Sequence, residues 1–187
     1  MNQTRTKDTG SSTGNPKESF GNTLRFLTLR VNGSELRCAA PPKALLLDVL
    51  REEFNLIGTK RGCDMGTCGC CNVLLDGQAV PSCLVLAFDC EGKEIQTVEG
   101  LSVEVDGHLH PLQSAWAHSG GSQCGFCTPG FLMTAKELLE HNPHPSRDEI
   151  AEALSGNVCR CTGYKKILDA VECAAQQLQG ISQEEER

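Results

Sequence analysis

The sequence predicts an α+β chain: a small mixed β sheet crossed by one helix in the first half, and a helical second half. Three observations carry this reading. Asn32-Gly33 and Asp76-Gly77 are two-residue turn signals flanked by apolar residues at alternating positions. Between Tyr164 and Gln179 the apolar residues recur at helical spacing. The 187 residues include twelve cysteines, most of them in two groups, one in each half.

Residues 1–22 are mostly Thr, Ser, Gly, Asn and charged residues and are expected to form a disordered tail, because they bury too little to offset ordering entropy. Leu27, Leu29 and Val31 alternate with polar residues, Asn32-Gly33 turns the chain, and Leu36 and Cys38 follow, which predicts a hairpin. Leu45 to Phe54 reads as a helix with Leu45, Leu46, Val49 and Leu50 on one face. A glycine-rich loop without hydrophobic period runs from Gly58 to Cys71. Val73–Leu75, Asp76-Gly77 and Ala79–Val85 predict a second hairpin, and Ile95–Val98 a closing strand.

The second half predicts four helices. Leu109–Ala117 is short, and Pro129–His141 has a proline suited to a first turn. Ser146 and Glu149 have the spacing of a capping box, opening a helix to Leu154. The last runs from Tyr164 to Gln179 with Ile167, Leu168, Val171, Ala174, Ala175 and Leu178 on its apolar face. Short connections suggest a small bundle. The expected units are thus 1–22, a tail; 23–100, the sheet domain; 101–180, the helical domain; and 181–187, an acidic tail, with the boundary near Gly100 to Gly107.

Composition narrows the function. A net charge of −7 and a pI of about 5.2, with no basic stripe, argue against nucleic acid as a partner. No stretch approaches the ~18–20 apolar residues of a membrane helix. The N-terminal residues lack both the apolar run of a secretory signal and a twin-arginine pair. The expected location is therefore the cytoplasm, where thiols serve metal rather than disulfides. Six Phe, one Trp and one Tyr make a core poor in large rings, which gains from an added constraint.

The first cysteine group runs from Gly62-Cys63 to Cys70-Cys71, with Cys83 downstream. Cys63, Cys68, Cys71 and Cys83 give C-x4-C-x2-C followed by one more cysteine, and the opening spacing is that of plant-type [2Fe–2S] ferredoxins. Gly62, Gly66 and Gly69 are suited to positive φ and close approach around a cluster. Cys70 is a fifth thiol for four positions, and the x2 interval favours Cys71. In the second group Cys124-x2-Cys127 is followed 31 residues later by Cys159-x-Cys161. Two helices between them form an up-down pair that brings the distant cysteines to one end of the bundle. On spacing alone this quartet suits an iron–sulfur cluster, a Cys₄ zinc site or a disulfide pair.

Together these motifs, with Val98-Glu99-Gly100-Leu101, Leu109 to Gln113, Gln123 to Gly130 and Ser155 to Tyr164, resemble the iron–sulfur module of the xanthine oxidase family of molybdenum hydroxylases. The resemblance spans roughly residues 24–178. It implies a β-grasp, ferredoxin-like domain followed by a four-helix domain, each with one [2Fe–2S] cluster. Cys63, Cys68, Cys71 and Cys83 would hold the flavin-proximal cluster, and Cys124, Cys127, Cys159 and Cys161 the molybdenum-proximal one. Gln123 and Cys161 match positions that face the pterin. The resemblance further implies a medium subunit with FAD, a large subunit with the molybdopterin cofactor, and a heterotrimer or a dimer of heterotrimers. Electrons would pass from molybdenum through the helical-domain cluster, then the ferredoxin-like cluster, to FAD.

No residue has the pattern of an acid, base or nucleophile for substrate turnover, so the implied role is electron relay. The competing classes are a free-standing two-cluster ferredoxin and a zinc adaptor. Cys38, Cys90 and Cys173 read as small packed thiols, as does Cys70 if Cys71 is the ligand. The histidines show no paired ligand spacing, and His110 reads as structural or interfacial. Trp116 is expected in the core and Phe126 as a shield over the second cluster. Arg160, between two cysteines, offsets cluster charge or pairs with a neighbouring subunit.

Overall fold

A computed structural model describes residues 23–102 and 108–185, with side chains placed as far as Gln179. The tail expected over 1–22 and part of the expected boundary at Gly100–Gly107 lie outside the described residues.

The first half is a five-stranded sheet in the order β2-β1-β5-β3-β4. Strands β1 (Arg25–Val31) and β2 (Ser34–Ala40) form the first hairpin, and β3 (Asn72–Leu75) and β4 (Gln78–Pro81) the second. Both turns work as their sequences require, with positive φ at Asn32, Gly33, Asp76 and Gly77. Between the hairpins lies β5 (Glu94–Gln96), parallel to β1 and antiparallel to β3. The second hairpin is shorter than its apolar run, because Ser82–Leu84 tightens into a 3₁₀ turn. The helix expected over Leu45–Phe54 is α1 (Leu46–Asp48), which widens at once into π-helical turns over Val49–Glu53.

The second half holds α2 (Pro111–Ser119), α3 (Thr128–His141), α4 (Arg147–Ala153) and α5 (Lys165–Glu185). Ser146 and Glu149 form the capping box of α4 that their spacing predicts. A second box opens α2, where His110 Nδ1 accepts from Leu112 N–H and the Gln113 side chain accepts from His110 N–H. This makes His110 a structural cap. Helix α5 continues six residues past Gln179, where the apolar period stops. Among the described residues no helix is long and apolar enough to cross a membrane.

Strand β3 joins the two halves through its two-residue period. Val73 points into the core that α1 and the sheet share with Leu27, Leu29, Leu50 and Ile95. Leu74 points the other way, into the helical core with Trp116, Phe131, Met133 and Ile167. Trp116 lies against Phe131 with ring centroids 6.2 Å apart, as a core anchor should. Asn72 Nδ2 donates to Thr134 Oγ1 of α3 at 3.0 Å. Helix α3 is thereby fixed across the sheet, with its first turn at the cysteine loops.

Candidate metal centres

The loop that carries the first quartet is held at both ends by polar contacts. Arg51 reaches from the π-helical turns to the carbonyls of Ile57 and Thr59, at 3.0 and 2.7 Å. Glu99 Oε1 accepts from Gly58 N–H at 2.7 Å, and its Oε2 accepts from Thr97 Oγ1 at 2.5 Å. At the far end Ser82 donates to the Cys71 carbonyl through its hydroxyl at 2.8 Å, placing Cys83 beside Cys71.

Within the loop the thiols meet in pairs. Cys63 contacts Cys68, and Cys71 contacts Cys83. The Thr67 hydroxyl and Met65 N–H point at Cys63 Sγ from 3.5 and 3.4 Å. The Thr67 hydroxyl first, and then backbone N–H donors, bring that thiol down to about 6. Burial instead pushes Cys71 up to about 11 and Cys70 up to about 12. Gly66 and Gly69 take positive φ, as the sequence reading requires, but Gly62 does not. Gly62 is needed for close approach, since a Cβ there would lie 2.7 Å from Cys68 Sγ. The third left-handed residue is Asp64, whose carboxylate pairs with Arg61.

The second quartet also forms two pairs. Cys124 and Cys161 Sγ are 3.6 Å apart and exposed, while Cys127 contacts the buried Cys159. Cys127 is the N-cap residue of α3, and its carbonyl accepts from Phe131 N–H at 3.3 Å. Burial pushes Cys127 up to about 12. Burial acts on Cys159 in the same direction, but the Thr162 hydroxyl and N–H at its sulfur, 3.1 and 3.5 Å away, outweigh it and lower that thiol. Tyr164, in a left-handed conformation, accepts from Cys159 N–H at 3.0 Å and sets its ring edge-on to Phe131.

A single tetrahedral ion needs four sulfurs around one point, whereas a two-iron cluster takes its four thiolates as a pair on each iron. Each quartet offers two close thiol pairs, Cys63 with Cys68 and Cys71 with Cys83, then Cys124 with Cys161 and Cys127 with Cys159. All-cysteine donor sets of this kind fit an iron–sulfur cluster.

The two sites touch. Val158 N–H donates to the Cys68 carbonyl at 2.9 Å, and Asn157 Nδ2 to the Gly69 carbonyl at 3.1 Å. Gly130, in the first turn of α3, lies so close to Gly69 and Cys70 that a Cβ there would overlap the Gly69 carbonyl oxygen. Cys70 lies at this seam, and its Sγ donates to the Cys68 carbonyl at 3.8 Å. Gln123 is exposed beside the Cys124–Cys161 pair, and Arg160 and Phe126 are exposed as well. Cys90 is buried and donates to the Leu86 carbonyl, and Cys38 and Cys173 pack half-buried at the edges of the two cores. The sequence reading missed Thr67, Thr162 and the hydroxyl role of Tyr164. All three are donors or acceptors within five residues of a cysteine, a signal short enough to have been read.

Comparison with known proteins bears on both halves. Residues 29–102 match the family described as 2Fe-2S iron-sulfur cluster binding domain, and residues 97–172 the one described as [2Fe-2S] binding domain. The chain is 52% identical over 145 residues to the nicotine 6-hydroxylase small subunit of Paenarthrobacter nicotinovorans, covering 78% of this chain and 86% of that protein. It is 45% identical over 150 residues to the nicotinate dehydrogenase small FeS subunit of Eubacterium barkeri, covering 80% and 94%. A chain of quinoline 2-oxidoreductase from Pseudomonas putida 86 superimposes with a TM-score of 0.80 at 44% identity, over 85% of this chain and 98% of that one. The chain belongs to the [2Fe–2S] small-subunit family of xanthine oxidase-type molybdenum hydroxylases, and is the iron–sulfur subunit of an oxidoreductase.

Proposed function

We propose that this chain holds two [2Fe–2S] clusters and relays electrons from a molybdopterin site on a large subunit to FAD on a medium subunit. In this reading the sheet half is a β-grasp, ferredoxin-like domain and the helical half a four-helix cluster domain. Cys124, Cys127, Cys159 and Cys161 hold the first station on that route, and Cys63, Cys68, Cys71 and Cys83 the second. A [2Fe–2S] cluster supplies one-electron redox capacity. The chain's own residues supply the rest. The exposed Cys124–Cys161 pair and Gln123 present the helical site to the pterin. Thr162, Thr67 and Met65 N–H donate to ligand sulfurs and thereby stabilise their negative charge. Asn157 and Gly130 keep the two loops in contact and water out of the seam.

The observation that carries the reading is the bond from Val158 N–H to the Cys68 carbonyl. It joins a ligand residue of one set to the residue before Cys159 in the other, and a free carrier or a zinc adaptor has no need of that link. The test is purification of the native protein. The expected result is recovery with two larger polypeptides, one containing flavin and one molybdenum, and with iron and acid-labile sulfide sufficient for two clusters. An active monomer without those polypeptides would sink the subunit reading. A colourless zinc protein would sink the relay altogether.

A further inference from the structure

Cys70 is the one cysteine of the first loop that the quartet does not use. Its position is unlike that of the other spare thiols. Cys38, Cys90 and Cys173 each belong to a single half of the molecule. Cys70 is 5% exposed and lies where the halves meet, its backbone beneath the Gly130 turn of α3. Its Sγ donates to the Cys68 carbonyl oxygen at 3.8 Å. That oxygen also receives the Val158 N–H at 2.9 Å. The Cys70 thiol lies within electrostatic reach of Cys68 and Cys71 of the first quartet and of Cys127 of the second. Glycine at 62 gives the thiol its room, since a Cβ there would lie 3.2 Å from Cys70 Sγ.

We propose that Cys70 is a positioning residue of the relay: its thiol fills the seam between the two cluster sites and fixes the Cys68 carbonyl onto Val158, setting the coupling between the centres. This rests on the two-cluster reading. One electron given up at the Cys124, Cys127, Cys159 and Cys161 site is taken up at the Cys63, Cys68, Cys71 and Cys83 site, with no proton or ligand exchanged. Two effects follow from the geometry. The polarisable sulfur replaces what would be a gap, and a gap there forfeits contact on both sides. The S–H dipole beside Cys68 stabilises the more negative, reduced state of the neighbouring centre.

The test compares Cys70→Ala with Cys70→Ser in the loaded full-length protein. Redox titration followed by electron paramagnetic resonance gives the two midpoints, and pulsed reduction gives the rate at which an electron redistributes between the centres. The expected result in Cys70→Ala is a full complement of iron, a lowered midpoint for the sheet-domain centre and a several-fold slower redistribution. Cys70→Ser keeps a donor to the Cys68 carbonyl and is expected to restore both. A purely structural Cys70 would lower thermal stability in the two variants and leave midpoints and rate unchanged, which would overturn the proposal. Loss of one cluster from both variants would make Cys70 a ligand and overturn it equally. Wild-type protein with iron for one cluster only would instead refute the two-cluster reading itself.

Discussion

The N–H of Val158 donates to the carbonyl oxygen of Cys68 across 2.9 Å, although ninety positions separate the two residues in the chain. Cys68 belongs to the first thiol quartet, and Val158 precedes Cys159 of the second. The bond therefore does what neither half can do alone: it ties the conformation of one cysteine loop to that of the other. Asn157 adds a side-chain bond to the next carbonyl, Gly69, at 3.1 Å. A backbone carbonyl at such a seam has no water to turn to, so both bonds are costly to lose.

Gly130→Ala tests how tightly the halves meet. In an ordinary helix interior the change stabilises by about 1 kcal/mol. Here the new methyl would overlap the Gly69 carbonyl oxygen and lie 2.9 Å from Cys70 Cα. Both neighbours are backbone and cannot rotate away. The expected net effect is a destabilisation of about 1–3 kcal/mol, the range of overpacking. It is read as a lower urea midpoint, together with a changed magnetic interaction between the reduced centres. A raised midpoint would show that α3 stands off the loop.

Asn157 is 2% exposed, so its two replacements should differ in size. Asn157→Ala removes one of two donors to the Gly69 carbonyl, which keeps the Asn72 N–H at 3.1 Å, at a cost of about 1 kcal/mol. Asn157→Asp is expected to be worse, since it sets a buried negative charge against the same carbonyl. Denaturant unfolding of the pair checks the order, and equal losses would mean that the side chain leaves the seam.

Glu99 controls the entry to the first loop through Gly58 N–H and the Thr97 hydroxyl. Glu99→Ala strands both donors, and Thr97 is fully buried. The loss is about 1–3 kcal/mol, concentrated at one site. Challenge with an iron chelator should bleach the sheet-domain cluster faster while the helical-domain cluster keeps its wild-type rate. Glu99→Gln, which retains an acceptor for Gly58, should fall between.

The capping box of α4 makes a pH prediction. The Ser146 hydroxyl, and then its N–H, hold the Glu149 carboxyl below the ordinary glutamate value. Because the folded pKa is depressed, the contribution to α4 is complete above the unfolded value and is lost as pH falls through the lower, folded one. Carboxyl carbon shifts of Glu149 followed by NMR should titrate below the ordinary value, and Ser146→Ala should bring the midpoint back. An unshifted midpoint in the wild type would contradict the box.

What the sequence made legible was local. Asn32-Gly33, Asp76-Gly77 and Ser146 to Glu149 are short-range chemistry and appear where their spacing puts them. The gathering of distant cysteines was legible because a helix pair between Cys127 and Cys159 returns the chain to its starting level. The parallel pairing of β1 with β5 was not, because no local pattern announces a neighbour sixty residues away. Nor was the π-helical widening at Val49–Glu53, since Leu46, Val49 and Leu50 fit an ordinary helix equally well. The seam was least legible of all. Gly130 reads as one more glycine and Asn157 as a loop residue until the fold places them against Gly69. The place of Cys70 at the seam depends on the Gly130 turn of α3 meeting its backbone, a contact that no interval between cysteines records.

Ligand substitution separates the two sites. In Cys124→Ser the helical-domain site loses a thiol from its exposed pair, and in Cys83→Ser the sheet-domain site loses one from its buried pair. Metal binding is folding free energy for the loop that does the binding, so each variant is expected to lose one cluster and to loosen one half. The losses should not be equally contained. Cys124 is exposed, whereas Cys83 is buried and packs with Leu47 and Cys71 at the base of the loop that carries the Cys68 carbonyl. Cys124→Ser should therefore retain the sheet-domain signal at wild-type intensity after dithionite reduction, with half the iron. Cys83→Ser should lose its own cluster and also lower the thermal stability of the helical half, because Val158 and Asn157 then face an unsupported loop. Two intact signals in either variant would remove that cysteine from the ligand set, and a helical half indifferent to Cys83→Ser would show that the seam bonds survive without the first cluster.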